Sequence, residues 1–168
     1  MLRDSHIPVH PDDQRRLDIV ATGLPIAQGL PLFCDVTVLS PLTRNGDARP
    51  GTSNQGGSLL AAAERENNNT YEEIRSSGFG TLLCLGAETY GRWGAQAVWL
   101  VPALATERTR HLHPRIRTSI ALASLHRWWW ILGVALQNVV AHAILHEHTD
   151  FGQTLLEPPP RLADLDIV

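Results

Sequence analysis

The sequence predicts a small α/β domain in which flanking helices cover a small mixed sheet. Residues 17–21, 30–39 and 81–86 are short apolar runs rich in β-branched and large side chains, the composition of strands. The stretches after the second and third runs place their apolar side chains at helical spacing instead. A chain of 168 residues, 43% of them apolar, can bury one core but is short for two.

Residues 1–14 are polar and carry Pro8 and Pro11, so they read as a flexible lead-in, with order beginning at Arg15. Leu17-Asp18-Ile19-Val20-Ala21 is the first strand. Gly23, Pro25 and Gly29 punctuate a hairpin connection to the second, residues 30–39. Residues 41–58 gather Asn45-Gly46-Asp47, Pro50-Gly51 and Gly56-Gly57, the composition of a mobile loop. Ser58 is then the expected N-cap of one helix over residues 59–75, closed by Gly78. The run at 81–86 is continuously apolar, as in a strand covered on both faces, and Glu88 follows at its carboxyl end. A helix starts after Gly91 or Gly94, and Pro102 predicts a kink or early stop in it.

Pro114 suits the first turn of a last long helix, in which Ile116, Ile120, Ala123, Trp130, Val134 and Ala141 recur at helical spacing. These side chains are expected to face inward, so that the helix caps the sheet. Residues 128–145 are barely long enough to span a bilayer and contain Gln137, Asn138 and His142, which favours a buried core helix and no membrane partner. Residues 149–168, with Pro158-Pro159-Pro160, read as a disordered tail.

A net charge of -3 excludes a molecule that clamps phosphate backbones with its whole surface, so any nucleic-acid contact is local. Every fixed positive side chain is Arg; there is no Lys. Cys34 and Cys84 sit in apolar runs without metal-knuckle or disulfide spacing and read as buried reduced thiols. The N-terminus lacks the apolar core of a signal peptide, so the expected location is intracellular, nuclear or cytoplasmic, and not secreted.

Asp18 and Asp35 are the informative acids, because a carboxylate inside an apolar strand is costly unless compensated. A hairpin turning about Ile26 and Ala27 sets Asp18 opposite Asp35, where like charges repel unless a cation lies between them. Such a pair can hold Mg²⁺, or Mn²⁺, which keeps several waters and can activate one against a phosphodiester. The alternative, that both acids end their strands or face solvent, leaves no site.

Glu66, on the helix facing the pair, is a secondary catalytic candidate. Glu88, at a strand's carboxyl end, is another; either acid is equally explained as a capping or surface residue, and Thr37, which shares the Asp35 strand face, is context alone. His142 and His146 have the i, i+4 spacing of a chelate, but a helix end favours cationic histidine without any metal. Trp128-Trp129-Trp130 must place at least one ring inward. Arg108, Arg110, Arg115, Arg117 and Arg127 form the basic region, able to touch phosphates if it shares the face of the Asp pair.

The order Arg15-Arg16-Leu17-Asp18, then Leu32-Phe33-Cys34-Asp35-Val36-Thr37-Val38, then a helix, resembles the PD-(D/E)xK nuclease pattern. Within it the chain is similar to the C-terminal endonuclease domain of site-specific non-LTR retrotransposons. Ala63-Glu64-Arg65-Glu66, Tyr71, Gly86-Ala87-Glu88-Thr89-Tyr90-Gly91 and Arg127-Trp128-Trp129 extend the likeness. The resemblance implies a restriction-endonuclease-like fold over residues 15–148, Asp18 and Asp35 as Mg²⁺ ligands, and DNA as the partner, nicked so that an attached reverse transcriptase can prime copying. The chain departs from the pattern where a lysine is usual. Two residues after Asp35 stands Thr37, and the helix segment to which this family can move the lysine reads Glu66-Asn67-Asn68-Asn69-Thr70. Arginine keeps its proton at neutral pH and cannot replace lysine as a base. The expected function is therefore a degenerate or weak metal-dependent DNA endonuclease. The alternatives are a non-catalytic nucleic-acid or protein-interaction remnant, or an element relic without function.

Overall fold

The computed structural model of the chain describes residues 15–148, so the lead-in and tail expected at 1–14 and 149–168 lie outside the described residues. The first strand, β1 (Ile19–Ala21), pairs antiparallel with β2 (Leu32–Leu39) in the register Ile19 to Cys34, Val20 to Phe33 and Ala21 to Leu32. That register is the one a turn about Ile26 and Ala27 dictates. The connection is a single 3-10 turn, Pro25–Ala27, which Gln28 (φ 56°) and Gly29 (φ 79°) close in the left-handed region.

From β2 the chain passes through a loop, α1 (Ser58–Thr70) and α2 (Glu72–Ser77), and returns as β3 (Thr81–Glu88), parallel to β2. A parallel pair needs such a crossover, which these helices supply. The result is a three-stranded mixed sheet in the order β1-β2-β3, followed by α3 (Ala95–Arg108) and α4 (Pro114–His148).

Strand alternation divides the core between the two faces of the sheet. On one face Phe33 and Leu82 pack with Leu17, Tyr71 and Ile74, under α1 and α2. On the other, Leu32, Cys34 and Leu83 pack with Ala27 and with Leu100 of α3. The outer edge of β3 is covered. Cys84 N–H donates to the Gln96 side chain, Glu88 N–H to the Arg92 carbonyl (2.7 Å), and the Gly86 carbonyl accepts from Gly94 N–H (2.8 Å).

Four expectations are corrected. The helix expected over residues 59–75 is two helices, broken at Tyr71 (φ -120°, ψ 43°). Asn67-Asn68-Asn69-Thr70 are weak helix formers. The buried Tyr71 ring is held by its hydroxyl, which donates to the Arg16 carbonyl (3.0 Å), and by the Arg15 guanidinium 5.4 Å from its centroid. Ser58 does not cap α1: Gly57 occupies the cap position with φ 82°, and the Ser58 hydroxyl is buried without a hydrogen bond among the described residues. The segment before α1 is a loop as expected, with hydrogen bonds of its own from Thr43 N–H to the Asp47 carbonyl (2.7 Å) and from Arg49 N–H to the Pro41 carbonyl (2.9 Å). Pro102 does not stop α3, which continues to Arg108. The carbonyl that Pro102 leaves without its helical donor belongs to Val98, which is exposed, so water can serve it.

The fourth correction concerns α4. It begins at Pro114, with His113 Nδ1 accepting from Arg115 N–H (3.3 Å), and it packs chiefly on α3 instead of capping the sheet. The face carrying Ile116, Ile120, Trp130 and Val134, expected inward, is the exposed one. Its inner stripe is narrow: among its described side chains only Leu136 is fully buried, with Trp128, Ile131 and Leu132 half-buried. By length and composition Pro114–Leu145 could cross a membrane, and 6% of its most apolar stretch is buried, so it is not a buried core helix.

Candidate functional site

Asp35 lies on the β2 face that looks toward α1. It is half-buried at the wall of a cleft of about 310 Å³ that Thr37, Leu39, Ala63, Glu66, Asn67, Thr70, Tyr71 and Cys84 also line. Asn67, two turns into α1 and itself buried, donates Nδ2–H to Asp35 Oδ2 at 2.8 Å. Burial pushes the Asp35 carboxyl above its ordinary range; the Asn67 hydrogen bond pulls it down, and the negative charge of Asp18 pushes it up again.

Asp18 comes next to Asp35 through the hairpin. Asp18 N–H donates to the Cys34 carbonyl (3.1 Å), which extends the β1–β2 pairing by one residue and brings Asp18 across from Asp35. One oxygen of its exposed carboxylate, Oδ2, accepts from Val36 N–H at 2.9 Å, and Oδ1 is 3.9 Å from an Arg16 guanidinium nitrogen. A carboxylate just outside a short edge strand thus closes the ladder where the backbone pairing ends.

Cys84, opposite Asp35 in the parallel register, is buried and reduced like Cys34. Burial, then the charges of Asp35 and Glu64, push its thiol up to about 11. It stays protonated at neutral pH and is no nucleophile. Glu64, quoted above only within the longer motif, thus acts by its charge on the buried Cys84 thiol, although it does not line the cleft. Asn67 is the second residue that sequence reasoning underrated. Its Oδ1 is buried without a hydrogen-bond partner among the described residues, leaving an oxygen acceptor next to an acid. The signal available was its place on the helix that follows the second strand.

The remaining candidates separate. Glu66 lines the cleft but is exposed at its lip. Glu88 is four residues along the sheet from the Asp35 level, about 13 Å at strand rise. It is buried and paired with Arg92 (3.5 Å), where it pins the β3–α3 turn. Arg65 and Arg75 are exposed, and neither lines the cleft. Arg108 lies over the Trp128 ring (5.7 Å), Arg110 pairs with Glu107 (3.4 Å) and Arg117 donates to the Leu112 carbonyl (2.9 Å). This basic region belongs to α3 and α4, on the opposite side of the sheet from Asp35. Of the three tryptophans, Trp129 packs on Trp93 (centroids 5.5 Å apart), Trp128 is half-buried, and Trp130 is exposed. His142 is exposed, and the side chains of His146 and His148 lie outside the described residues.

Among the described residues, no three His, Cys, Asp or Glu side chains converge as a metal-holding group. Two carboxylates meet at this end of the hairpin, Asp35 held by Asn67 and Asp18 across from it, and oxygen is the donor type of a hard divalent cation rather than of zinc. In comparison with known proteins, no family model, curated protein or solved structure matches the chain.

Proposed function

We propose that this chain is a weak, Mg²⁺-dependent DNA endonuclease on a restriction-endonuclease-like fold, with Asp18 and Asp35 as the metal ligands. One observation carries the reading: the hairpin brings Asp18 across from Asp35, which lines a polar cleft, and the Asp18 charge makes ionisation of Asp35 less favourable. Bound there, Mg²⁺ or Mn²⁺ would neutralise that repulsion, present an activated water and offset charge developing on a phosphodiester. Asp35 would hold the ion from the strand, and Asn67 would fix the orientation of the Asp35 carboxylate through its Nδ2–H. Asp18 Oδ2 accepts from Val36 N–H, so Asp18 would meet the ion through Oδ1, in competition with the Arg16 guanidinium 3.9 Å away. Glu66, exposed at the lip, would accept a proton from a bound water.

The weakness of the activity follows from the same cleft. Where a positioned ammonium would orient the water, the helix offers the neutral Asn67, and losing such a group costs about 10² to 10⁴ in rate. The occupied Asp18 oxygen favours a second reading, a nucleic-acid-binding remnant that holds its target without cutting.

Nicking of supercoiled plasmid with Mg²⁺ or Mn²⁺ separates the two. Slow nicking by the wild type, lost in Asp18→Ala and Asp35→Ala and accelerated in Asn67→Lys, is the expected result. A folded wild type that binds DNA but never nicks, with Mn²⁺ binding unchanged by Asp35→Ala, would leave only the binding reading.

A further inference from the structure

We propose that the outward flank of α4 is a docking surface for an anionic lipid membrane, on which the helix lies in the plane of the interface. Its inner stripe is used: Leu136 is buried against the domain, and Trp128, Ile131 and Leu132 border an apolar hollow of about 360 Å³ beside α3 and the sheet. On the opposite side, Ile116, Ile120, Trp130, Val134 and Leu145 recur at helical spacing and stand in solvent, Trp130 with 70% of its surface exposed. At about 1.5 Å per residue this stripe runs for roughly 44 Å. An apolar strip of that length on a helix already held along its other side is the form of an interfacial helix, not of a span.

Charge decides what covers it. Between residues 114 and 145 the fixed charges are Arg115, Arg117 and Arg127, with no Asp or Glu. Two copies paired along this stripe would add arginines to arginines with no carboxylate between residues 114 and 145 of either helix to relieve them. A layer of anionic headgroups supplies the opposite charge along the whole length. Arg115 and Arg117 flank Ile116 on either side of the stripe, about 100° around the axis each way. Arg127 lies on the stripe itself, where its stem can follow the apolar surface while the guanidinium reaches a phosphate. Trp130 brings a ring suited to the boundary between headgroup and acyl chain. Duplex DNA would satisfy the arginines but offers nothing apolar to Ile120, Val134 and Leu145.

The test is flotation of the full chain with vesicles of phosphatidylcholine, with and without phosphatidylserine. It compares the wild type with Ile120→Asp/Val134→Asp and with Arg115→Glu/Arg127→Glu. All four positions are exposed, and circular dichroism with thermal unfolding verifies that both variants keep the fold. The wild type is expected to float with phosphatidylserine vesicles only, with a blue shift of tryptophan emission. The apolar pair should weaken binding on the order of 100-fold. The arginine pair should weaken it about 25-fold, at about fivefold for each arginine lost from the surface. Failure of the folded wild type to float would overturn the proposal, as would flotation unchanged in both variants. So would lipid-free self-association, or duplex DNA binding, that the apolar pair abolishes.

Discussion

At the scale of single residues, the chemistry of this chain turns on Asp35. Its carboxyl titrates above the ordinary value of 3.8 because burial and the Asp18 charge outweigh the Asn67 hydrogen bond. The folded state therefore binds the Asp35 proton more tightly than the unfolded state does. By linkage, that contribution to stability is whole below pH 3.8 and is lost as pH rises through the raised value, leaving an ionised Asp35 as a liability at neutral pH. Asp35→Asn removes the liability and keeps an oxygen to accept from Asn67. It should raise stability at pH 7 by roughly 0.2 to 1 kcal/mol, the scale of a like-charge cross-strand pair, and give no gain near pH 3. Urea unfolding of both proteins at the two pH values measures this, and equal stability at pH 7 would remove the repulsion on which the metal reading rests. An acid that costs stability where it stands is the usual mark of a residue kept for binding or chemistry.

The elements show where local sequence decides structure and where packing overrides it. The hairpin register was legible only given a turn about Ile26 and Ala27, which Gly23, Pro25 and Gly29 suggest without fixing; one residue of slip would turn Leu32 and Cys34 off the core face, so packing settles it. The Asp18–Asp35 juxtaposition followed from that register alone. The Tyr71 break was not legible, since it depends on Arg15 and Arg16 far away in sequence. Nor was Asn67, whose role requires knowing which turn of α1 meets β2. Ser58 misled for a local reason: a Gly57 already in the left-handed region starts the helix and turns the serine inward. Ser58→Ala should therefore be neutral or stabilising by up to about 1 kcal/mol, whereas a working N-cap would lose about that much. Thermal unfolding distinguishes the two signs. Gly86 poses the opposite case, because a Cβ there would come within 2.8 Å of Leu60 Cδ2, between α1 and β3. Gly86→Ala should cost about 1 to 3 kcal/mol, and part of that cost should disappear in Leu60→Ala/Gly86→Ala, so that the double variant is less unstable than the sum. Additive costs would show that α1 does not close on β3 there.

For the molecule as a whole, stability is unevenly distributed, and α4 is where it thins. Between β2, β3 and the helices on both faces, side chains such as Phe33, Leu32 and Ile74 are almost wholly enclosed. Beyond Leu136, by contrast, α4 continues through Gln137–Leu145 with only Val140 half-buried, so its backbone hydrogen bonds are shielded by little besides the helix itself. Opening free energies follow such enclosure, from near zero at unsupported ends to the global value in the core. Amide hydrogen exchange of the isolated chain should therefore show residues 137–145 protected at least about 100-fold less than β2, with the step falling near Leu136. The periodicity that suggested an inward face for Ile116, Ile120 and Trp130 is real, but it marks surface with no cover among the described residues. If protection beyond Leu136 instead matches β2 in dilute solution, the end of α4 must be covered by another copy, and its exposure belongs to the single chain alone. If protection there is low and rises only when phosphatidylserine vesicles are added, the apolar flank is ordered by lipid, and the weakest part of the fold is the part that binding completes.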